Sequence, residues 1–420
     1  MRAWILIRLA VRGLGRNARR SALTAAAMVI GLALLVFSRA LSDGGHEQWI
    51  DSAVRMSSGH VAVQAPGYLE TGKLEHRIEA ATLAGVVDAI QSMPADPGVH
   101  AWAPRLTVDG LASSAASALP VLVQGVDPVR EARFSLVTER LVEGRYLEPG
   151  DRLHAFIGIE LARRLELEVG NRFVLTAQTA SGEIEGQLVR VAGVFRTAVL
   201  ELDEGLVHIP LETARQWLGT PGAATTVAVL LDSSLETEST TASLREALES
   251  EPGVRVLGWR EASPDLDSAV RIDDYGDYLF HGILFAIIAL AILNAVMISV
   301  LGRRREFGIL QAMGLTGHET GFVVFLEGLM LTAVSGVVGM VLGLVFTWAF
   351  FRDGLDFSAF IESEMSFSGS VIDPVIVPLF HFRQIVVSVW SIAIVGTLAS
   401  LYPALRASRL DPAEAMKFEQ

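Results

Sequence analysis

The segment Arg303–Gly314 reads RRREFGILQAMG and stands between two long apolar runs. Three adjacent arginines, then Glu306 and apolar residues at helical spacing, suit one kind of chemistry: charge-assisted and apolar docking of another protein. The candidate contacts are Arg305, Glu306, Phe307, Gly308, Ile309, Leu310, Met313 and Gly314. Arg303–Arg305 also read as topology anchors. A second candidate is Glu327, near the start of the following apolar run. An acid in such a place either relays protons or pairs with a cation. Glu327 reads as the only ionisable residue inside a span, so a structural pairing, with the arginine triplet in reach, is expected rather than a relay.

Covalent and metal chemistry find no support. His46, His60, His76, His100, His154 and His208 are scattered without metal-ligand spacing. Neither Gly-x-Ser-x-Gly nor Ser-x-x-Lys occurs. Cysteine is absent, which removes disulfides, thiolate nucleophiles and cysteine metal sites. A P-loop needs a lysine for the phosphates, and Lys73 and Lys417 both lie outside such a motif. Catalytic, cofactor-binding and metal-ligating residues are therefore none, and the chain is not expected to be an enzyme.

These residues must be positioned by a membrane frame. The 420 residues are 51% hydrophobic with a mean hydropathy of +0.43, too apolar for an ordinary soluble chain and too charged for a purely intramembrane one. Continuous apolar runs at Ser21–Ser38, Tyr278–Leu301, Gly321–Phe351 and Gln384–Leu405 predict four transmembrane helices. Arginines crowd residues 1–20, the 302–319 loop and the tail, so both termini and that loop are expected in the cytoplasm. The segments 42–277 and 352–383 then lie outside. Ser38-Arg39-Ala40 loosely imitates a cleavage site. The long arginine-rich lead instead carries Trp4, Ile5, Ile7, Leu9 and Val11 on an apolar side, as an interfacial helix does.

Segment 42–277 holds about 36 acids against about 19 bases and is long enough for its own core. This acidity and the net charge of −13 argue against nucleic acid as a partner. The patterns predict an α+β domain. Strands are expected at His60–Gln64, Leu119–Gly125, Arg172–Thr176, Gln187–Phe195, Val207–Pro210, Thr226–Leu231 and Val254–Gly258. Helices are expected at Ile78–Met93, ending at Pro94, and at Phe156–Leu165 and Leu235–Glu249. A β-rich subdomain of 140–222 is read as inserted into an α/β subdomain of 43–135 and 223–270. Asp265, Asp267, Asp273, Asp274 and Asp277, just above the second span, read as a solvated linker, with cation binding as the lesser alternative. Ser335, Gly339 and Gly343, like Ala27 and Gly31, form small-residue stripes for close helix packing, within the chain or at a dimer seam.

The order of one span, a large outside domain and three spans resembles the MacB/FtsX/LolC-LolE superfamily of ABC transporter permeases. Arg303–Gly314 looks like that family's coupling segment. Leu401–Met416 (LYPALRASRLDPAEAM) is similar to its closing segment, Phe325–Gly343 to its glycine-rich third helix, and Phe156–Leu175 to a motif of its outside domain. The resemblance implies a porter-plus-sabre outside domain, a homo- or heterodimer of permeases, and two copies of a cytoplasmic ABC ATPase holding ATP and Mg. It implies mechanotransmission in a bacterial inner membrane. Gly59–Gly67 (GHVAVQAPG) and the chain length look closest to the lipoprotein-releasing LolC/LolE branch. That branch extracts lipid-anchored proteins from the outer leaflet and hands them to a periplasmic carrier. Here the stretch matching the carrier-docking hook, Thr176–Val194, is short and lacks proline. The 352–383 loop, with Phe357, Phe360, Ile361, Met365 and Phe367, is read either as a packed loop or as lying on membrane lipid near an acyl chain. A MacB-like exporter with a periplasmic adaptor and an FtsX-like regulator of a cell-wall hydrolase remain the alternatives.

Overall fold

The computed structural model describes residues 2–16, 18–93, 98–251, 253–358, 365–367, 370–372 and 374–410. Pro94, Phe360, Ile361 and the end of the closing segment, 411–416, lie outside them, and the side chains of Met365 and Phe367 are not described. The chain divides into a helical unit (1–46, 273–356 and 375–420) and an α/β unit (47–272 and 357–374).

Among the described residues four helices are long and apolar enough to cross a membrane, with candidate spans Ala25–Met56, Pro264–Gly302, Gly317–Phe351 and Ile385–Ser408. The first two helices run past their apolar windows, and ionisable side chains there pair across them, Arg39 with Asp277 and His46 with Asp273. Met28, Leu32 and Leu35 of the first helix meet Ile288, Ile292 and Val296 of the second, Val324 of the third and Ile392 and Ala399 of the fourth. Glycines set the close approaches. A Cβ on Gly339 would meet Leu32 Cβ at 2.7 Å, and one on Gly343 would meet Val36 Cβ at 2.8 Å. Gly339 and Gly343 of the small-residue stripe thus pack inside this chain, against the first helix, and Ser335 is buried. Gly31 faces Ile288, whereas Ala27 stays exposed.

Glu327 is not the only ionisable group in the spans. His281 of the second helix is buried, with its Nδ1 3.1 Å from Asp277 Oδ1. Asp277 also takes a 2.5 Å bond from Arg39 and a 2.7 Å bond from Ser42. Asp277 therefore belongs to a polar cluster rather than a solvated linker.

The large sheet of the α/β unit has, among the described residues, ten strands: β1 (Val61–Gln64), β2 (Val99–Ser113), β3 (Ala118–Val126), β4 (Leu141–Gly144), β5 (His154–Gly158), β6 (Arg172–Gln178), β7 (Ile184–Phe195), β8 (Leu206–Pro210), β9 (Thr226–Leu231) and β10 (Arg255–Gly258). Their order is β10-β1-β9-β2-β3-β8-β5-β7-β4, with β6 pairing β2 and β7. Most pairs are antiparallel; β3–β8 and β5–β7 are parallel. The helix expected over Phe156–Leu165 begins only at Ile159, because Phe156 and Ile157 are wholly buried in the sheet as part of β5.

One expected boundary shifts. Leu106, Val108 and Ala112 of β2, with Val121 and Val123 of β3, share a core with Ile157, Leu161, Phe173, Leu175 and Val207. Both strands lie within the 43–135 segment read as part of the α/β subdomain, but the far half of their hairpin packs with the segment read as inserted. The near end of β2 serves other layers: Val99 and Trp102 pack against the core of Val61, Val86 and Val229, and Ala103 against that of Trp49 and Phe134. Where these layers meet, Arg105 is clamped by Glu131 through bonds of 3.1 and 2.6 Å and lies over the Phe134 ring at 4.6 Å. Its remaining nitrogen donates to the Ser57 carbonyl. Two buried histidines complete this unit. His60 Nδ1 accepts from the Leu231 amide at 3.1 Å, and His208 Nδ1 lies 3.4 Å from the Tyr146 hydroxyl. Burial holds both neutral, with pKa values lowered to about 4.

Candidate coupling site

The segment Arg303–Gly314 folds as a short helix, Arg304–Ala312. Gly314 ends it with φ of +102°, a left-handed turn that costs a glycine little. Thr316 and Glu319 then form a reciprocal capping box that starts the third long helix at Gly317. The two helices are thus joined by a tight, hydrogen-bonded corner, closed by the Leu315 amide on the Leu310 carbonyl at 3.0 Å.

The inner face of the short helix is fixed by Arg303. Its Nη1 donates to Glu327 Oε1 at 2.6 Å, its Nε donates to Glu306 Oε2 at 3.1 Å, and its guanidinium lies 5.1 Å from the Phe307 ring centre. Glu327 is 5% exposed and the Arg303 side chain 12%, so this is a largely desolvated pair. Breaking such a pair from one side costs about 3–5 kcal/mol. Phe307 is buried at 1% exposure in the core of the long helices, and Gly308 is buried beside it. Gln311 donates to the Thr320 hydroxyl at 3.2 Å.

The docking residues expected from the sequence therefore separate into two sets. Phe307 and Gly308 point into this chain and cannot touch a partner. Glu306 is engaged by Arg303, and Leu310 is half-buried. Arg305, Ile309, Met313 and Gly314 are exposed, Ile309 at 45% and Met313 at 72%. Ala312, which is not among the expected contacts, joins them on the outer face; its place three residues after Ile309 is the signal in the sequence. Arg303, read as a topology anchor, also holds the helix down through Glu327 and Glu306. Among the described residues no group of three or more histidine, aspartate and glutamate side chains is arranged to hold a metal ion.

Comparison with known proteins places these features. The MacB-like periplasmic core domain matches residues 21–247, more than half of the chain, and the FtsX-like permease C-terminal region matches residues 278–412. A lipoprotein-releasing system transmembrane protein LolC from Xylella fastidiosa is 24% identical over 412 residues, covering 93% of this chain and 92% of its own. The uncharacterised ABC transporter permease YvrN of Bacillus subtilis is 24% identical over 439 residues, covering 98% and 99%. Among solved structures, the periplasmic region of MacB from Actinobacillus actinomycetemcomitans covers 51% of this chain and 94% of its own length, at 10% identity and a TM-score of 0.36.

Proposed function

This chain belongs to the MacB/FtsX-like family of ABC transporter permeases, and from that premise we propose that it is moved by a separate cytoplasmic ABC ATPase docked on Arg305, Ile309, Ala312 and Met313. The observation that carries the reading is the two-sided build of the short helix. Its outer face is exposed and both basic and apolar. Its inner face is tied to the third long helix by the Arg303–Glu327 pair and the buried Phe307 ring. A push on the outer face then reaches the spans through a charged contact and a packed aromatic rather than through loose loop. Two ATPase copies, holding ATP and Mg, serve a dimer of permeases. The arginine bias assigns both termini and residues 302–319 to the cytoplasm and the α/β unit to the outside of a bacterial inner membrane.

The cargo is an amphiphile, with a lipoprotein lifted from the outer leaflet as the first candidate. Support comes from the likeness, over 93% of this chain, to proteins named for lipoprotein release. The second reading is export of a small molecule or peptide. It is favoured by a 130-residue likeness to the macrolide export protein MacB of Bdellovibrio bacteriovorus, which covers 31% of this chain and 17% of that protein.

The test is co-purification of the full chain with the ATPase made beside it, followed by hydrolysis assays with a triacylated lipoprotein or with a macrolide. The expected result is a stable complex stimulated by the lipoprotein and dissolved by the double substitution Arg305→Glu, Ile309→Asp. An ATPase retained by that variant at undiminished yield would overturn the docking assignment. Stimulation by the macrolide alone would replace the cargo.

A further inference from the structure

The lead helix Arg2–Arg16 has three distinct faces. Leu6 and Ala10 are buried against Val323 of the third long helix, with Leu9, Leu315, Leu326 and Met330 packed around them. Beside that contact runs a stripe of Trp4, Ile7 and Val11, spaced three and four residues apart and exposed at 63%, 44% and 54%. Next to the stripe stand Arg8 and Arg12, both exposed, with the Arg8 guanidinium 5.2 Å from the Trp4 ring centre. A large aromatic, two aliphatics and flanking arginines are poor company for water. They suit a bilayer interface, where the rings and aliphatic chains enter the acyl boundary and the guanidinium groups meet phosphate.

We propose that this face is a docking surface for anionic phospholipid. Two observations choose that occupant over a protein. First, the lead helix packs on a helix that itself bears exposed apolar side chains: the third long helix exposes Phe322 beside the buried Val323, and Val334, Val337 and Val341 further along. Second, the stripe is bordered by arginines, and residues 1–20 contain no acid to neutralise them. The buried face makes the contact consequential. Leu315, which packs with Leu6 and Ala10, lies directly after Gly314 at the corner joining the short helix to the third long helix. Lipid charge under the lead helix therefore bears on the corner where the coupling segment turns. The inference rests on the membrane reading and uses no ATPase, so its failure is separable from that of the docking site.

The chain contains no cysteine, so Ile7→Cys or Val11→Cys in the full chain accepts a single fluorescent label. The labelled protein is reconstituted in vesicles of phosphatidylcholine alone or mixed with phosphatidylglycerol, and quenched with a nitroxide lipid or with aqueous iodide. The expected result is strong quenching by the lipid, weak quenching by iodide, and a shift of the lipid-bound fraction toward the anionic vesicles of about fivefold per arginine. Arg8→Glu, Arg12→Glu should abolish the preference for phosphatidylglycerol while the vesicle comparison of the unreversed chain stands on its own. Free access of iodide at both positions overturns the proposal. Protection from both quenchers, which would mean a protein covers the stripe, overturns it too, as does lipid contact indifferent to phosphatidylglycerol and to charge reversal.

Discussion

Each unit of the molecule holds one largely buried arginine–glutamate pair with a phenylalanine ring against the guanidinium, and the two are built differently. In the α/β unit, Arg105 meets both oxygens of one carboxylate, Glu131, which is fully buried. In the helical unit, Arg303 divides itself between two carboxylates, Glu327 on the third long helix and Glu306 on its own short helix. A closed fork has one geometry and fixes register. A divided guanidinium can yield one partner and keep the other, which suits a joint between two helices. The same residue types thus serve as a lock in one place and as a jointed contact in the other.

The sharpest way to break the comparison is Arg105→Met in the full chain. Glu131 would be left buried and unpaired, and we expect a loss of about 3–5 kcal/mol. Pulse proteolysis in a urea series, read at peptides from β2, measures it; a loss below 1 kcal/mol would deny Arg105 its role as a lock. Acid should weaken the same unit by another route. His60 and His208 are held near 4 against an ordinary 6.5, so the unfolded chain takes up the extra protons first. Stability is then full above about pH 6.5 and falls as pH drops toward 4, by roughly 3 kcal/mol for each histidine. An unchanged acid slope in a pH series on His208→Gln would exclude His208 as a source. Gly339→Leu, which drives a side chain into the first helix, should cost about 1–3 kcal/mol in the helical unit and leave β2 protection untouched. Spread of the damage into β2 would count against separate units. The smallest stability change belongs to Ile309→Asp, within about 0.5 kcal/mol because the side chain is exposed. The same variant should show a large fall in cargo-stimulated ATP hydrolysis, and a pumping Ile309→Asp protein would remove the outer face from the mechanism.

Much of the helical unit is legible in the sequence, because hydrocarbon demands long apolar runs and arginine placement is a simple signal. Its charged ends are not. Arg39 and Asp277 stand just beyond the apolar runs, so their contact is not visible in the pattern, and His281 is a lone histidine within an apolar run. The docking segment is visible as a segment, but which of its residues face outward depends on where Phe307 packs, a tertiary fact. In the α/β unit, β9 and β10 stand out as short apolar runs. β2 does not: Pro104 and Gly110 interrupt its alternation, and a fully buried Arg105 reads as surface. Phe156–Gly158 was taken into a helix because three residues are too few to separate a buried strand from a helix start.

The double service of β2 bears on how this domain tolerates insertions and deletions. Leu106, Val108 and Ala112 point to one core, while Ala103 and Arg105, of opposite parity, look to the other layer. Removing a single residue between Arg105 and Val108 would exchange the faces of everything beyond it, turning Asp109 and Leu111 inward and carrying Ala112 out. Losses in pairs would preserve parity but slide the strand against β3 and β6. Length variation among relatives should therefore collect in the turns at 114–117 and 179–183 and spare the fifteen residues of this strand.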